Sequence, residues 1–143
     1  MADIIQDFTI KAASDRVWLA VSTPEGLDRW WTKRSGGEPR VGAEYQLWFG
    51  PNYDWRATVT RCVENREFEL RMVTDDPDWN GTQVGFRLEA QPENTWAQFY
   101  HTGWPSPNEH YRISCHCWAL YLRLLRRNLE HGELVPYEQR LDA

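Results

Sequence analysis

Residues 108–130 read NEHYRISCHCWALYLRLLRRNLE, a stretch without glycine or proline that is closely followed by Gly132. At about 100° per residue, its apolar side chains fall on one narrow stripe, and most of its charged side chains share the opposite side. The stripe consists of Tyr111, Cys115, Trp118, Leu122, Leu125 and Leu129. Because glycine commonly stands just beyond the last helical residue, the stretch predicts one long amphipathic helix.

Upstream of this helix, apolar residues recur at every second position, which is the period of a half-buried strand. Glycine, proline, asparagine and aspartate separate the alternating segments, and these residues favour turns. Strands joined by short connections pair as an antiparallel meander. The alternation predicts strands at 45–49, 55–63, 68–72, 84–88 and 97–101.

The amino-terminal part precedes this meander. Residues Ile4–Lys11 predict a first strand, and Ser14-Asp15 has the composition of a helix start. Thr23-Pro24-Glu25 is a second helix start. Two short helices are therefore expected, the second ending at Trp30-Trp31. The segment Lys33–Gly42 contains three glycines and is expected to be a loop.

These elements predict an α+β fold, because a sheet with one apolar face needs a cover and the C-terminal helix is long enough to supply it. The expected architecture is a curved antiparallel β-sheet with two short helices, wrapped around one long C-terminal α-helix. With 143 residues the chain fits one domain. We expect that domain to span residues 1–132, with residues 133–143 as a C-terminal tail.

Charge and composition argue against several classes of partner. The net charge of -5 and the pI near 5.4 leave no basic surface for a phosphate backbone, so nucleic acid is not expected as a partner. No stretch approaches the roughly 20 apolar residues of a membrane span, and the first residues do not resemble a signal peptide. The chain has three cysteines, Cys62, Cys115 and Cys117, and an odd number cannot all pair within one chain. They are expected to be reduced, which favours a cytoplasmic location.

Aromatic residues are unusually frequent, since 9 Trp, 6 Tyr and 5 Phe make up 14% of the chain. They can fill a core or line a pocket, and pockets are mostly apolar with a few polar groups. The candidate ligand-binding residues are Trp30, Trp31, Tyr45, Trp55, Phe68, Phe86, Phe99, His101, Tyr111, Cys115 and Trp118. Seven of them are expected to line one continuous cavity, namely Trp30, Phe86, Phe99, His101, Tyr111, Cys115 and Trp118.

His101 is the polar residue of most interest within this set. It shares one side of its strand with Ala97 and Phe99, so it is expected to face the interior. A neutral imidazole offers one donor and one acceptor, which suits it to orient a ligand or to act as a proton shuttle. The alternative is that a neighbouring side chain satisfies it and its role is structural.

Neither metal binding nor covalent catalysis is expected. Residues two apart on a helix point about 200° away from each other, so Cys115 and Cys117 cannot share one tetrahedral ion. The sequence has no nucleophile elbow, phosphate-binding loop or dinucleotide-binding glycine pattern, so no cofactor and no catalytic residue is predicted. Asp75, Asp76 and Asp78 surround a proline and are expected to form a solvated turn.

A set of residues spread over nearly the whole chain resembles a known family. It comprises Val17-Trp18, Leu27, Trp30-Trp31, Gly103-Trp104, His110-Tyr111, Trp118, Leu122, Leu125, Leu129-Glu130 and Gly132. The pattern resembles the activator-of-Hsp90-ATPase-like family, part of the START/Bet v 1-like (SRPBCC) helix-grip superfamily. The resemblance implies the helix-grip fold and an apolar ligand held between the sheet and the long helix, with catalysis in a minority of members.

The expected function is therefore the binding of a small, mostly apolar molecule. One alternative is an enzyme of the same fold, such as a cyclase, an aromatase or a hydrolase acting on a polyketide-like substrate. The other alternative is a chaperone-linked protein-interaction module. A chaperone partner is not expected, because the co-chaperone for which the family is named uses a separate amino-terminal domain that this chain has no room to hold.

The long helix also raises the question of assembly. Cys117, Tyr121 and Leu124 widen its apolar arc, and Leu120 lies further round still, so that the arc spans about 220°, more than one sheet face should cover. The excess can be shielded by the tail, which carries Leu134, Val135, Tyr137 and Leu141. The other cover is a second copy of the chain in a homodimer.

Overall fold

A computed structural model describes residues 1–143 and contains a single sheet of seven antiparallel strands. The strands are β1 (Ala2–Ile10), β2 (Arg34–Gly36), β3 (Glu44–Trp48), β4 (Asp54–Val63), β5 (Glu67–Val73), β6 (Gln83–Ala90) and β7 (Thr95–Trp104). Their order across the sheet is β1-β7-β6-β5-β4-β3-β2. The predicted meander is confirmed. The first strand, β1, pairs with the last, β7, and forms one edge of the sheet.

One strand lies where the sequence predicted only a loop. Within Lys33–Gly42, the short strand β2 pairs with β3 in the register Ser35↔Leu47. Residues rich in glycine carry little strand signal of their own, and the open edge of β3 supplies the pairing partner. The prediction of a loop over this whole segment is therefore wrong.

Two short helices, α1 (Ser14–Ser22) and α2 (Pro24–Leu27), follow β1. Thr23 caps α2 through a hydrogen bond from the Gly26 backbone N–H to its hydroxyl oxygen, at 3.1 Å. Gly26 also permits the two helices to approach closely, since a Cβ there would lie 2.3 Å from the carbonyl oxygen of Leu19. The start of α1 differs from expectation, because its cap is Ala13, which forms no side-chain capping bond.

The long helix α3 spans Glu109–His131, as the sequence predicted. Asn108 caps its first turn by accepting a hydrogen bond from the Tyr111 backbone N–H at 2.9 Å. Gly132 ends it in the left-handed region, with φ of 68°. The apolar stripe of α3 joins the inner face of the sheet in one core, in which Trp118 contacts Phe99 with ring centroids 4.5 Å apart.

The C-terminal tail packs back onto this domain. A 3₁₀ helix over Tyr137–Asp142 lies against α3, and Leu124 of α3 is buried. Arg140 anchors the tail by donating hydrogen bonds to the carbonyl oxygens of Thr32 and Asp28. The chain therefore supplies part of the cover that the wide apolar arc of α3 requires.

No helix in this fold combines the length and the apolar character that crossing a bilayer demands.

Candidate functional site

The interior between the sheet and α3 is a cluster of contacting rings, which we call the aromatic cluster. Trp118 lies near its centre, with ring centroids 4.5 Å from Phe99 and 5.3 Å from Trp31. Phe86 connects Phe99 to Trp30, at 5.3 and 5.9 Å. The structure thus brings together six of the predicted residues, namely Trp30, Trp31, Phe86, Phe99, His101 and Trp118.

These rings fill the interior and leave no continuous cavity. A void bounded in part by Trp30, Trp31, Phe68 and Phe86 measures about 10 Å³, roughly the space of one water molecule. The prediction of one continuous cavity is therefore wrong. A ligand can enter the interior only if a side chain moves.

The side chain that fills the expected space is Trp79, which is absent from the predicted ligand-binding residues. It comes from the turn between β5 and β6 and is only 8% exposed. Its ring lies 4.5 Å from His101, 5.0 Å from Trp55 and 6.0 Å from both Trp104 and Trp118. A single aromatic residue among polar turn residues has no periodicity, so the sequence carried no signal that it points inward.

The turn that carries Trp79 is tied to the start of α3. Asp78 accepts a hydrogen bond from the Asn108 side-chain amide at 3.1 Å and contacts Nδ1 of His110 at 3.0 Å. Asp76 accepts hydrogen bonds from the backbone N–H groups of Asp78 and Trp79. Asp76 and Asp78 are half-buried, so the prediction of a fully solvated turn is wrong for them.

Asp76, Asp78 and His110 also place their potential ligand atoms within 4.8 Å of one another, a spacing that could hold a cation. In this structure Asp78 is already hydrogen-bonded to His110 and, through its backbone N–H, to Asp76, while Nδ1 of His110 lies 3.9 Å from Asp76. We assign the group a structural role, in which it fastens the turn to the helix.

His101 is fully buried and has both ring nitrogens engaged, as its position in the strand predicted for an inward-facing residue. The Trp118 indole N–H donates to Nδ1 at 3.1 Å, and Nε2 lies 2.8 Å from the hydroxyl oxygen of Thr82. Because Thr82 donates its own proton to the carbonyl oxygen of Trp79, Nε2 must carry the imidazole proton. Burial lowers the pKa of His101 to about 3, so the ring is neutral near pH 7.

Two indole N–H groups at this place have no protein acceptor. Nε1 of Trp79 and Nε1 of Trp104 are both buried and lack a hydrogen-bond partner. The rings that carry them are neighbours, with centroids 6.0 Å apart. A buried donor without an acceptor costs about 1–3 kcal/mol, so two in adjacent side chains require an explanation.

The other predicted residues lie at the margins of the aromatic cluster. Trp55 is half-buried and joins the cluster through Trp79. Tyr111 and Cys115 are also half-buried, and the Tyr111 hydroxyl donates to the backbone carbonyl of Asp3 at 2.7 Å.

Tyr45 and Phe68 form a separate pair, 5.6 Å apart. The hydroxyl of Tyr45 donates to the backbone carbonyl of Ser22. Burial raises the pKa of Tyr45 far above its usual value, so this hydroxyl keeps its proton and serves as a fixed structural donor.

A larger depression, of about 950 Å³, lies on the surface near the ends of β4 and β6. It shares no residue with the aromatic cluster, and polar side chains such as Glu64, Arg66 and Arg87 dominate its lining. It therefore does not suit an apolar ligand.

Residues 11–130 match the family model described as activator of Hsp90 ATPase homolog 1-like protein. The chain belongs to this family. A search of curated proteins returns no match. Among solved structures, the Aha1 dimer from Colwellia psychrerythraea has a TM-score of 0.84 and 28% sequence identity, over 93% of this chain and 99% of that one.

Two further structures share the fold of this activator-of-Hsp90-ATPase-like protein. Protein MLL2253 from Mesorhizobium loti has a TM-score of 0.80 at 18% identity, covering 93% of this chain and 100% of its own. CalU16 from Micromonospora echinospora has a TM-score of 0.72 at 22% identity, covering 98% and 84%. These comparisons confirm the α+β helix-grip fold that the sequence predicted.

Proposed function

We propose that this protein binds a small, mostly apolar molecule between the sheet and α3, at the aromatic cluster. The observation that supports this most directly is the pair of buried indole donors on Trp79 and Trp104, neither of which has a protein acceptor. A ligand with an oxygen acceptor would satisfy a donor of this kind, and the surrounding rings would supply the apolar contact. All of the candidate residues, Trp30, Trp31, Tyr45, Trp55, Phe68, Phe86, Phe99, His101, Tyr111, Cys115 and Trp118, remain in the proposal, to which we add Trp79 and Trp104.

The geometry gives less support to an enzyme of this fold. A cyclase, an aromatase or a hydrolase acting on a polyketide-like substrate would need polar side chains free to exchange protons with it. In this interior the central polar residue is His101, and both of its nitrogens are held by Thr82 and Trp118. We therefore assign His101 a structural and positioning role.

The proposal carries several expectations about partners and location. Small apolar ligands are the expected partners, nucleic acid is not, and the three free cysteines favour the cytoplasm. The family name points to a chaperone, and recovery of Hsp90 in stoichiometric yield by this protein as bait would favour the interaction module over the ligand binder.

A homodimer stays a prediction, supported by the dimer described for the Colwellia relative. The tail packed against α3 is the competing cover. Light scattering at micromolar concentration distinguishes the two, because a mass near 17.0 kDa would rule the dimer out.

The binding proposal can be tested with 2-acetylnaphthalene as the probe. The chain has 9 tryptophans, and their indole N–H signals report separately in a proton–nitrogen NMR spectrum. We expect the probe to shift the signals of Trp79, Trp104 and Trp118, whereas those of Trp48 and Trp96, outside the aromatic cluster, stay in place. No saturable shift, or shifts confined to Trp48 and Trp96, would contradict the proposal.

A further inference from the structure

Resting on the proposed function, a sharper assignment follows from the surroundings of one side chain. We propose that the ligand takes the place of the Trp79 indole, so that the site accepts one planar, bicyclic aromatic molecule that carries a hydrogen-bond acceptor. In this structure, which we call the closed state, the Trp79 side chain itself occupies the binding site. We call this side chain the plug.

Trp79 differs from its neighbours in the element that carries it. Trp55, His101 and Trp104 belong to strands of the sheet, and Trp118 belongs to α3. The backbone that carries those rings is fixed by hydrogen bonds within the sheet or within α3. Trp79 lies in a turn, so it can swing outward while the ladder between β5 and β6 stays intact.

The space that Trp79 would vacate has the shape of a flat ring system. Trp118 stacks on the indole with an interplanar angle of 24°. His101 and Trp104 meet it edge-on, at 70° and 71°. A planar bicyclic molecule in the same place would stack on Trp118 and meet the other two rings in the same edge-on manner, which is a favourable arrangement for aromatic pairs.

Polar groups around the plug define the acceptor that the ligand needs. The Trp104 indole N–H has no protein acceptor, although the residue is completely buried. The Thr82 hydroxyl donates to the carbonyl oxygen of Trp79 at 2.6 Å, so movement of the turn would free this donor. A carbonyl oxygen on the ligand fits such donors, and an unsubstituted hydrocarbon leaves them unpaired.

The hydrogen bonds between the turn and the start of α3 hold Trp79 in the closed state. Asp78 is held by Asn108 and His110, both at the start of α3 and neither a ring partner of Trp79. Removing the Asp78 side chain should therefore raise the population of the open state. A ligand that binds only the open state gains apparent affinity in proportion to that population.

The decisive experiment compares Asp78→Ala with the matched variant Asp75→Ala, which removes an exposed carboxylate from the same turn. Affinities for 2-acetylnaphthalene are measured by calorimetry on the full chain. We expect Asp78→Ala to bind it about 3- to 10-fold more tightly than the wild type, because its open state is more populated. Asp75→Ala should bind like the wild type. If Asp78→Ala fails to fold, Asn108→Ser removes the side-chain amide contact to Asp78 and keeps an oxygen that can cap α3, and it should strengthen binding in the same direction.

Two further measurements identify the position of the ligand. 2-Ethylnaphthalene has the same shape without the acceptor, and we expect it to bind about 2- to 10-fold more weakly, as one lost hydrogen bond implies. In protein labelled with 5-fluorotryptophan, the probe should move the Trp79 fluorine resonance toward its position in denatured protein. The Trp79 signal is assigned from Trp79→Phe.

The outcomes separate this inference from the proposed function. Probe binding without movement of Trp79, and with equal affinity in Asp78→Ala, would overturn the plug and leave the proposed function standing. Weaker binding by Asp78→Ala would also overturn it. Absence of binding in the wild type and in Asp78→Ala would overturn both.

Discussion

The Trp118 indole donates a hydrogen bond to Nδ1 of His101 over 3.1 Å, and both side chains are almost fully buried. The bond joins α3 to β7 inside the apolar core. Since Nε2 of His101 uses its proton toward Thr82, the imidazole is satisfied only in its neutral form. Protonation at Nδ1 would replace an acceptor by a donor that faces the Trp118 N–H.

The first prediction concerns stability at acidic pH. In the folded protein the pKa of His101 is about 3, against 6.5 for an unperturbed imidazole. Well above pH 6.5 the imidazole is neutral in both the folded and the unfolded state, so there this residue adds no pH dependence. As the pH falls from about 6.5 to 3, the imidazole of His101 becomes protonated in the unfolded chain and stays neutral in the folded chain. Because the unfolded state binds more protons, the free energy of unfolding decreases by up to about 1.4 kcal/mol per pH unit.

Urea denaturation at a series of pH values between 7 and 5, a range chosen to limit titration of carboxylates, measures this slope. His101→Gln should have a shallower slope than the wild type, because it removes the group that titrates. His116→Gln, at an exposed position of α3, should keep the wild-type slope. Equal slopes in the wild type and His101→Gln would contradict the assignment.

The second prediction concerns Trp118 itself. It is 2% exposed and contacts rings from several elements, so Trp118→Ala should lower the free energy of unfolding by about 3–5 kcal/mol. Trp118→Phe keeps a single six-membered ring, so it removes part of the packing as well as the donor to Nδ1 of His101, and it should cost less than Trp118→Ala but at least about 1–3 kcal/mol. Arg123→Ala, on the exposed side of α3, is the control. A loss within about 0.5 kcal/mol for Trp118→Ala, as at surface positions, would mean that α3 presents a different side to the sheet.

Most of this fold could be predicted from the sequence, because α3 and the longer strands carry strong periodicity. The inward direction of His101 followed from its alternation with Phe99. Strand β2 could not be predicted, since three residues beside glycines form a strand only when β3 offers its edge. The filling of the interior by Trp79 could not be predicted either, because its neighbours in the turn are polar and tertiary contacts alone turn the ring inward.

The third prediction concerns a row of side chains on the outer face of the sheet. Gly85 pairs with Glu69 on one side and with Tyr100 on the other. The Tyr100 ring crosses over Gly85, and its hydroxyl donates to Glu69 at 2.6 Å. A Cβ at position 85 would lie 2.5 Å from the Tyr100 hydroxyl oxygen and 2.9 Å from the Phe68 carbonyl oxygen. Gly85→Ala should therefore destabilise the protein by about 1–3 kcal/mol.

A double-mutant cycle with Tyr100→Ala checks this cause. In the Tyr100→Ala background most of the overlap is gone, so Gly85→Ala should cost clearly less than in the wild type. Gly36→Ala is the matched control, because its Cβ would have ordinary contacts only and the position also lies in a strand. Additive effects of Gly85→Ala and Tyr100→Ala would show that the ring is not the obstacle.

The last prediction concerns Arg140, which fastens the tail. Its guanidinium donates to the carbonyl oxygens of Val135, Thr32 and Asp28, at 3.2, 3.0 and 2.6 Å, and the residue is 6% exposed. Arg140→Ala leaves these acceptors without their donor and should lower the free energy of unfolding by about 1–3 kcal/mol. Arg140→Lys should restore little of this stability, because an ammonium group cannot reproduce the planar fork of donors.

The control is Gln139→Ala, which changes the exposed neighbour of Arg140 and should match the wild type in urea denaturation. Limited proteolysis should cleave the tail faster in Arg140→Ala than in Gln139→Ala, and equal rates would show that the tail is held by its apolar contacts with α3 instead.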